Sequence, residues 1–255
     1  MSFALETRGV QKSFGAVTAA ADINVQVPER AVWSLIGTNG AGKTTFVNLV
    51  TGYLHPDAGQ ILFKGEEITA LGPREITRAG ICRSFQIPQL CGELTALENM
   101  LVSLAISAPE TPSFFRRGHA RDAEARAMEI LERFQIADYA PRLMAELPAG
   151  VRKLLDIAMA MTGNPQVMLL DEPTSGVASE EKFPIMDLVM EALAAENVTT
   201  LFVEHDMDIV TRYSERVLAF YDGRIIANDA PDEVLSDPQV QRYVTGTIPG
   251  RECAQ

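Results

Sequence analysis

The chain has 255 residues, 47% of them hydrophobic and 22% charged, which suits a soluble globular protein with one large domain or a core plus a subdomain. With 34 acidic against 22 basic residues its formal charge is −12, which argues against a sequence-independent grip on nucleic acid and against direct adsorption to anionic lipid. Cys82, Cys91 and Cys253 form no metal-binding spacing, and the start of the chain lacks the basic-then-apolar run of a signal peptide. No uncharged window of roughly 18 residues is present to span a bilayer, so the cytoplasm is the expected location.

Residues 3–30 carry alternating runs, clearest in Ile23-Asn24-Val25-Gln26-Val27, which predict antiparallel strands with one wet face. The apolar run Ala31-Val32-Trp33-Ser34-Leu35-Ile36 predicts a buried strand. It leads into Gly37-Thr38-Asn39-Gly40-Ala41-Gly42-Lys43-Thr44-Thr45, and a helix is expected from Lys43 to near Gly52. Glycines at 37, 40 and 42 let the backbone wrap an anion closely, and the loop ends on a helix N-terminus whose dipole favours negative charge. A glycine-rich turn between strand and helix is the plainer alternative. Lys-Thr at this offset, after a strand, makes the stretch a P-loop, with Lys43 reaching the β/γ-phosphates and the Thr44 hydroxyl ligating Mg²⁺.

Asp57-Ala58-Gly59-Gln60 is expected to turn the chain into a strand over Ile61–Gly65, and Ile81–Gln86 reads as a short strand ending on a glutamine. From about 93 to 163 the pattern is helical. One helix is expected over Leu94–Ile106 and an amphipathic one over Arg121–Phe134, separated by a Pro- and Ser-rich loop and the basic cluster Arg116-Arg117-Gly118-His119. That cluster reads as a solvated loop before it reads as a docking patch. Strand and helix then alternate: a strand at Val167–Leu170, a helix near 180–195, and a strand at Thr199–Val203. Val217–Tyr221 and Arg224–Ala227 flank the hairpin signal Asp222-Gly223. The alternation argues for a parallel sheet covered on both faces, interrupted by a helical insert.

Val167-Met168-Leu169-Leu170 ends in Asp171-Glu172, so a buried strand delivers two carboxylates to its C-terminal end. Paired with a P-loop, Asp171 is expected to hold the Mg²⁺ shell and Glu172 to orient and polarise the attacking water.

In these residues the chain resembles the ATP-binding subunits of ABC transporters. Pro173-Thr174-Ser175-Gly176 follows the acidic pair as in that family, and Gln86 stands where its Q-loop glutamine would. His205, in Val203-Glu204-His205-Asp206, matches the switch histidine, and Phe14, in Lys12-Ser13-Phe14-Gly15, matches the aromatic that stacks on adenine. The resemblance implies catalytic roles for Lys43, Gln86, Glu172 and His205, and Mg²⁺ ligation by Thr44, Gln86 and Asp171. It also implies ATP contacts from Phe14, residues 37–45 and Gly150.

Two positions depart from the family pattern. Leu147-Pro148-Ala149-Gly150-Val151 keeps only the leucine and the second glycine of the usual Leu-Ser-Gly-Gly-Gln signature, and Ala178 replaces the D-loop aspartate. Proline is still compatible with the first turn of a helix there. Both losses touch a partner's ATP site more than this chain's own.

The resemblance implies an α/β P-loop NTPase (RecA-like) core with an antiparallel β subdomain, over 1–90 and 164–255, and a helical subdomain over 91–163. The Phe114-Phe115-Arg116-Arg117 loop, the ending Ala230–Pro238 and Tyr243 resemble the ATPases of branched-chain amino acid importers. Implied partners are a second ATP-binding subunit, in a homo- or heterodimer, membrane permeases docked near Gln86, and indirectly a periplasmic solute-binding protein. The chain would then sit on the inner face of the membrane. Rival readings are a lipid- or lipopolysaccharide-exporting ATPase, a soluble ABC protein of DNA repair or translation, and a non-hydrolysing regulatory subunit.

Overall fold

The computed structural model describes residues 2–84, 91–107 and 117–246. Strands β1 (Phe3–Phe14) and β2 (Val17–Pro28) pair antiparallel, and β4 (Ala58–Phe63) and β5 (Glu66–Glu67) extend them into a sheet of order β2-β1-β4-β5. In β2 the residues Ile23, Val25 and Val27 are buried while Asn24 and Gln26 are exposed, the period of two that the sequence carries. Between β2 and β4 lie β3 (Val32–Gly37), buried on both faces from Trp33 onward, and α1 (Lys43–Val50).

The expected turn at 57–60 is a correction. Only Asp57 lies outside the strand, and β4 already begins at Ala58. Gly59 (φ 89) lies so close to β1 that a Cβ there would meet Gly9 O at 2.4 Å, so the glycine serves close strand approach instead of a turn.

After α2 (Pro73–Ala79) comes β6 (Ile81–Arg83). Helix α3 (Ala96–Ser107) starts two residues later than expected, because Thr95 is its cap. The Thr95 hydroxyl accepts the Glu98 N–H at 3.2 Å, and Glu98 Oε2 accepts the Thr95 N–H at 2.7 Å, a capping box. Helix α4 spans Arg117–Arg133, so 117–119 of the expected solvated loop are helical; Arg116, Phe114 and Phe115 lie outside the described residues. Then follow α5 (Ala149–Met161), the fully buried β7 (Val167–Asp171) and α6 (Lys182–Ala195).

The chain continues through β8 (Thr199–Val203), α7 (Met207–Tyr213), β9 (Arg216–Tyr221) and β10 (Arg224–Asp229). It ends in α8 (Pro231–Ser236), α9 (Pro238–Val240) and a wide helical turn over Gln241–Thr245. Asp222 (φ 48) and Gly223 (φ 71) make the tight turn between β9 and β10 that Asp-Gly predicts. Tyr243 stacks on Tyr221 with centroids 4.5 Å apart, tying the last turn to the end of β9.

Two units emerge: 1–76 with 199–255, and 77–198. In the first, β10, β9, β3 and β8 stand in that order, with β3 parallel to both β8 and β9. In the second, β6 runs parallel to β7, and α3, α4, α5 and α6 accompany the pair.

Candidate functional site

In the first unit β3 leads directly into the glycine-rich loop, and Gly42 (φ 109) caps α1. A Cβ at Gly42 would lie 2.6 Å from Ala19 O and 3.2 Å from Gly223 Cα, so no other residue fits between β2 and the β9–β10 turn. That turn also holds the loop directly, since Gly223 N–H donates to Ala41 O at 3.0 Å. Helix α1 has no acidic residue in its first turn, and Thr38, Asn39, Gly40 and Thr44 are exposed. A short row of N–H groups at the positive end of α1 is thus presented to an anion.

Lys43 is buried, and its ammonium donates to Gly37 O at 2.6 Å and to Thr38 O at 3.2 Å. The cation of the loop is therefore held by the loop's own carbonyls. Strand β8 lies parallel to β3 with Leu35 opposite Val203, so Glu204 and His205 leave the sheet at the same end as the P-loop. His205 is exposed, and its backbone N–H donates to Glu204 Oε2 at 3.1 Å.

Phe14 ends β1 with half its surface exposed, and the Lys12 ammonium lies 5.8 Å from its ring centroid. Asp57 braces this end of the strand. One carboxylate oxygen accepts from Lys12 Nζ at 2.7 Å and the other from the Ser13 N–H at 2.8 Å. The Lys12 hydrogen bond, with the Ser13 N–H second, holds the Asp57 carboxyl below the usual carboxylate range. The sequence reading missed Asp57, because its bridge to Lys12 spans 45 residues.

In the second unit β7 delivers Asp171, only 6% exposed, into an ion pair with Arg83, Nη2 to Oδ2 at 2.6 Å. Glu172 follows at φ 48, a left-handed conformation uncommon outside glycine, where the chain leaves β7 for the turn that carries Pro173 to Gly176. Buried Lys153 on α5 donates to Asp171 O at 3.4 Å.

Pro148, expected in the first turn of a helix, is one residue earlier, at the N-cap of α5 (φ −55, ψ 152) with no side-chain cap. Ala149 is exposed and Val151 half-buried. Gly150 is buried on α5 against α6, where a Cβ would meet Ile185 Cδ1 at 2.8 Å. Ala178 is exposed, and its carbonyl accepts the Glu181 N–H at 2.9 Å. Gln86 lies outside the described residues.

The family model for the ABC transporter matches residues 20–175. The chain belongs to the ABC transporter family. It is similar to the probable branched-chain amino acid transport ATP-binding protein LivG of Methanocaldococcus jannaschii, at 36% identity over 95% of this chain and 97% of that one. It is 34% identical, with the same coverage, to the high-affinity branched-chain amino acid transport ATP-binding protein BraF of Pseudomonas aeruginosa. Among solved structures it is similar to the ADP conformation of an ATP-binding cassette of an ABC transporter, with TM-score 0.84, 34% identity, and 95% and 98% of the two chains covered. This ABC chain is thus an ATPase with a P-loop NTPase core, and it binds nucleotide. Among the described residues no helix is long and apolar enough to cross a membrane.

Proposed function

We propose that this ABC ATPase energises an importer for branched-chain amino acids or related small polar or organic-acid solutes. The observation that carries the reading is its likeness to LivG and BraF along nearly the whole of all three chains. The chain works as a dimer, homo- or hetero-, docked on membrane permeases near Gln86 at the inner face of the membrane, with a solute-binding protein upstream. Residues 91–163 form the helical insert, and the remainder forms the nucleotide-binding core.

In this reading Lys43 and the N–H groups of residues 38–45 bind the β- and γ-phosphates, and Phe14 stacks on adenine. Glu172 accepts the proton of a water whose oxygen attacks the γ-phosphorus. The bond from that phosphorus to the β–γ bridging oxygen breaks and ADP leaves. His205 contacts the γ-phosphate, and Gly150 with the N-terminus of α5 contacts the partner's nucleotide.

The chemistry of these donors fits a hard divalent cation: the Thr44 hydroxyl, the Asp171 carboxylate and the Gln86 side-chain carbonyl would each offer it an oxygen. No group of three or more His, Cys, Asp or Glu is gathered as a metal cage among the described residues. Mg²⁺ would keep several waters and take phosphate oxygens beside these protein oxygens. When bound, Mg²⁺ neutralises charge that develops on the γ-phosphate.

The test is uptake of radiolabelled leucine, isoleucine and valine by cells that carry the native chain or Lys43→Ala. Uptake supported by the native chain and lost in the variant is expected. Equal uptake of all three solutes with the two chains, at equal expression, overturns the proposal.

A further inference from the structure

Arg83 is a cation at the end of a short strand that is otherwise buried, and neither the P-loop nor the signature segment explains it. Strands β6 and β7 run parallel with Ile81 opposite Val167, Cys82 opposite Met168 and Arg83 opposite Leu169. Asp171 is two residues beyond Leu169, so it falls on the same face of the sheet, within reach of the guanidinium. The contact is short, 2.6 Å, and close to dry, with side-chain exposures of 11% for Arg83 and 9% for Asp171. Next along the chain, Ser84 N–H donates to Leu169 O at 2.9 Å, which fixes the backbone beside the guanidinium before the chain enters the segment with Gln86.

A buried carboxylate without a counter-charge is strongly disfavoured, and removing one member of such a pair leaves an uncompensated charge. The proposed role of Asp171 is to offer that same carboxylate to Mg²⁺. A guanidinium 2.6 Å away and a divalent cation compete for it, since each neutralises the charge that attracts the other.

We infer that Arg83 is a tethered counter-ion which holds the Asp171 carboxylate in place of Mg²⁺, and that it lowers the gain in nucleotide affinity that Mg²⁺ confers. This rests on the reading of Asp171 as a metal-holding residue. Arg83 is a positioning residue, touching Asp171 and not the substrate. Its consequence is that metal binds with its nucleotide, whose phosphates supply the charge that outweighs the arginine, and not ahead of it.

The experiment measures the affinity of the purified full-length chain for a fluorescent N-methylanthraniloyl-ADP, with Mg²⁺ and with excess chelator. The readout is the ratio of the two dissociation constants, which involves no turnover. Arg83→Gln keeps a hydrogen-bond donor and removes the charge, and it is expected to raise the ratio at least tenfold. Arg83→Lys keeps the charge and is expected to stay within threefold of native. Arg83→Met is a second neutral variant that suits a buried position, with the same expectation as Gln should that variant not fold. Asp171→Asn is expected to lower the ratio toward one. A native ratio in the neutral variants, with Asp171→Asn lowered, overturns the counter-ion role alone. A native ratio in Asp171→Asn overturns the metal reading of Asp171, and the inference with it.

Discussion

The Lys43 ammonium donates to Gly37 O at 2.6 Å, a hydrogen bond that closes the P-loop on itself across six residues. A charged donor already inside the loop has little conformational freedom left to lose when phosphate arrives. Lys43→Ala removes the donor, and a charge-assisted hydrogen bond is worth roughly 1.5–3 kcal/mol. Nucleotide affinity is therefore expected to fall by about one to two decades, read by equilibrium binding. Affinity within threefold of native would place the phosphate elsewhere.

Gly150 has a packing reason to be glycine, independent of any partner. A Cβ on it would meet Ile185 Cδ1 at 2.8 Å, and Ile185 is buried on α6. Gly150→Ala is expected to destabilise the protein by no more than about 1 kcal/mol, because the end of the Ile185 side chain can yield and alanine's higher helix propensity offsets part of the overpacking. Ile185→Val removes the opposing methyl, so the double variant should recover much of that loss. Urea unfolding of the four proteins gives the coupling energy, and strict additivity would contradict the contact.

Cys82 is buried, and burial pushes its thiol up to about 11, while Cys91 is exposed. The reactive species is the thiolate, so a shift from 9.0 to about 11 lowers its population at pH 8 roughly a hundredfold. Timed alkylation at that pH, read peptide by peptide, should label Cys91 well before Cys82. Because the folded-state pKa is raised by a penalty on the thiolate, stability is full below pH 9 and falls as pH rises toward 11, where the unfolded chain ionises first. Equal labelling rates under native conditions would contradict the burial.

Pro148 leaves α5 without a side-chain cap, so a serine there does two things. As an N-cap it should stabilise the helix by about 0.5–2 kcal/mol, partly offset by the lost rigidity of proline. In the dimer it would restore a hydrogen bond to the partner's phosphate, worth about one to two decades in rate if made in the transition state. Placing Ser, Gly and Gln at 148, 149 and 151 should therefore speed phosphate release by the isolated protein. Equal rates for native and restored chains, both dimerising on ATP, would show that Gly150 and the helix end suffice.

Local chemistry in the chain was legible and distant pairing was not. The P-loop, the Asp222-Gly223 turn and the buried strand that ends in Asp171 each depend on a few adjacent residues, and the structure has them where spacing predicts. Thr95 and Glu98 carried a capping-box signature, yet the expected helix start was set one residue before the threonine. Gly59 looked like a turn glycine because nothing local reveals that β1 passes 2.4 Å from where its Cβ would be. Arg83 and Asp171 are 88 residues apart, and only the β6–β7 register joins them. A lone arginine in Ile-Cys-Arg-Ser was the one available signal. Asp57 with Lys12 escaped for the same reason.

Glu172, held at φ 48 just beyond β7, is the group proposed to activate water for ATP hydrolysis. The direct measurement is steady-state phosphate release from ATP by the native chain and by Glu172→Gln, each with Mg²⁺ and with excess chelator. Size-exclusion chromatography on ATP accompanies it. Slow release by the native chain that needs Mg²⁺ is expected, and loss of release in Glu172→Gln with ATP still bound and dimer accumulating. Equal release by the two proteins, or release that persists in chelator, would contradict it.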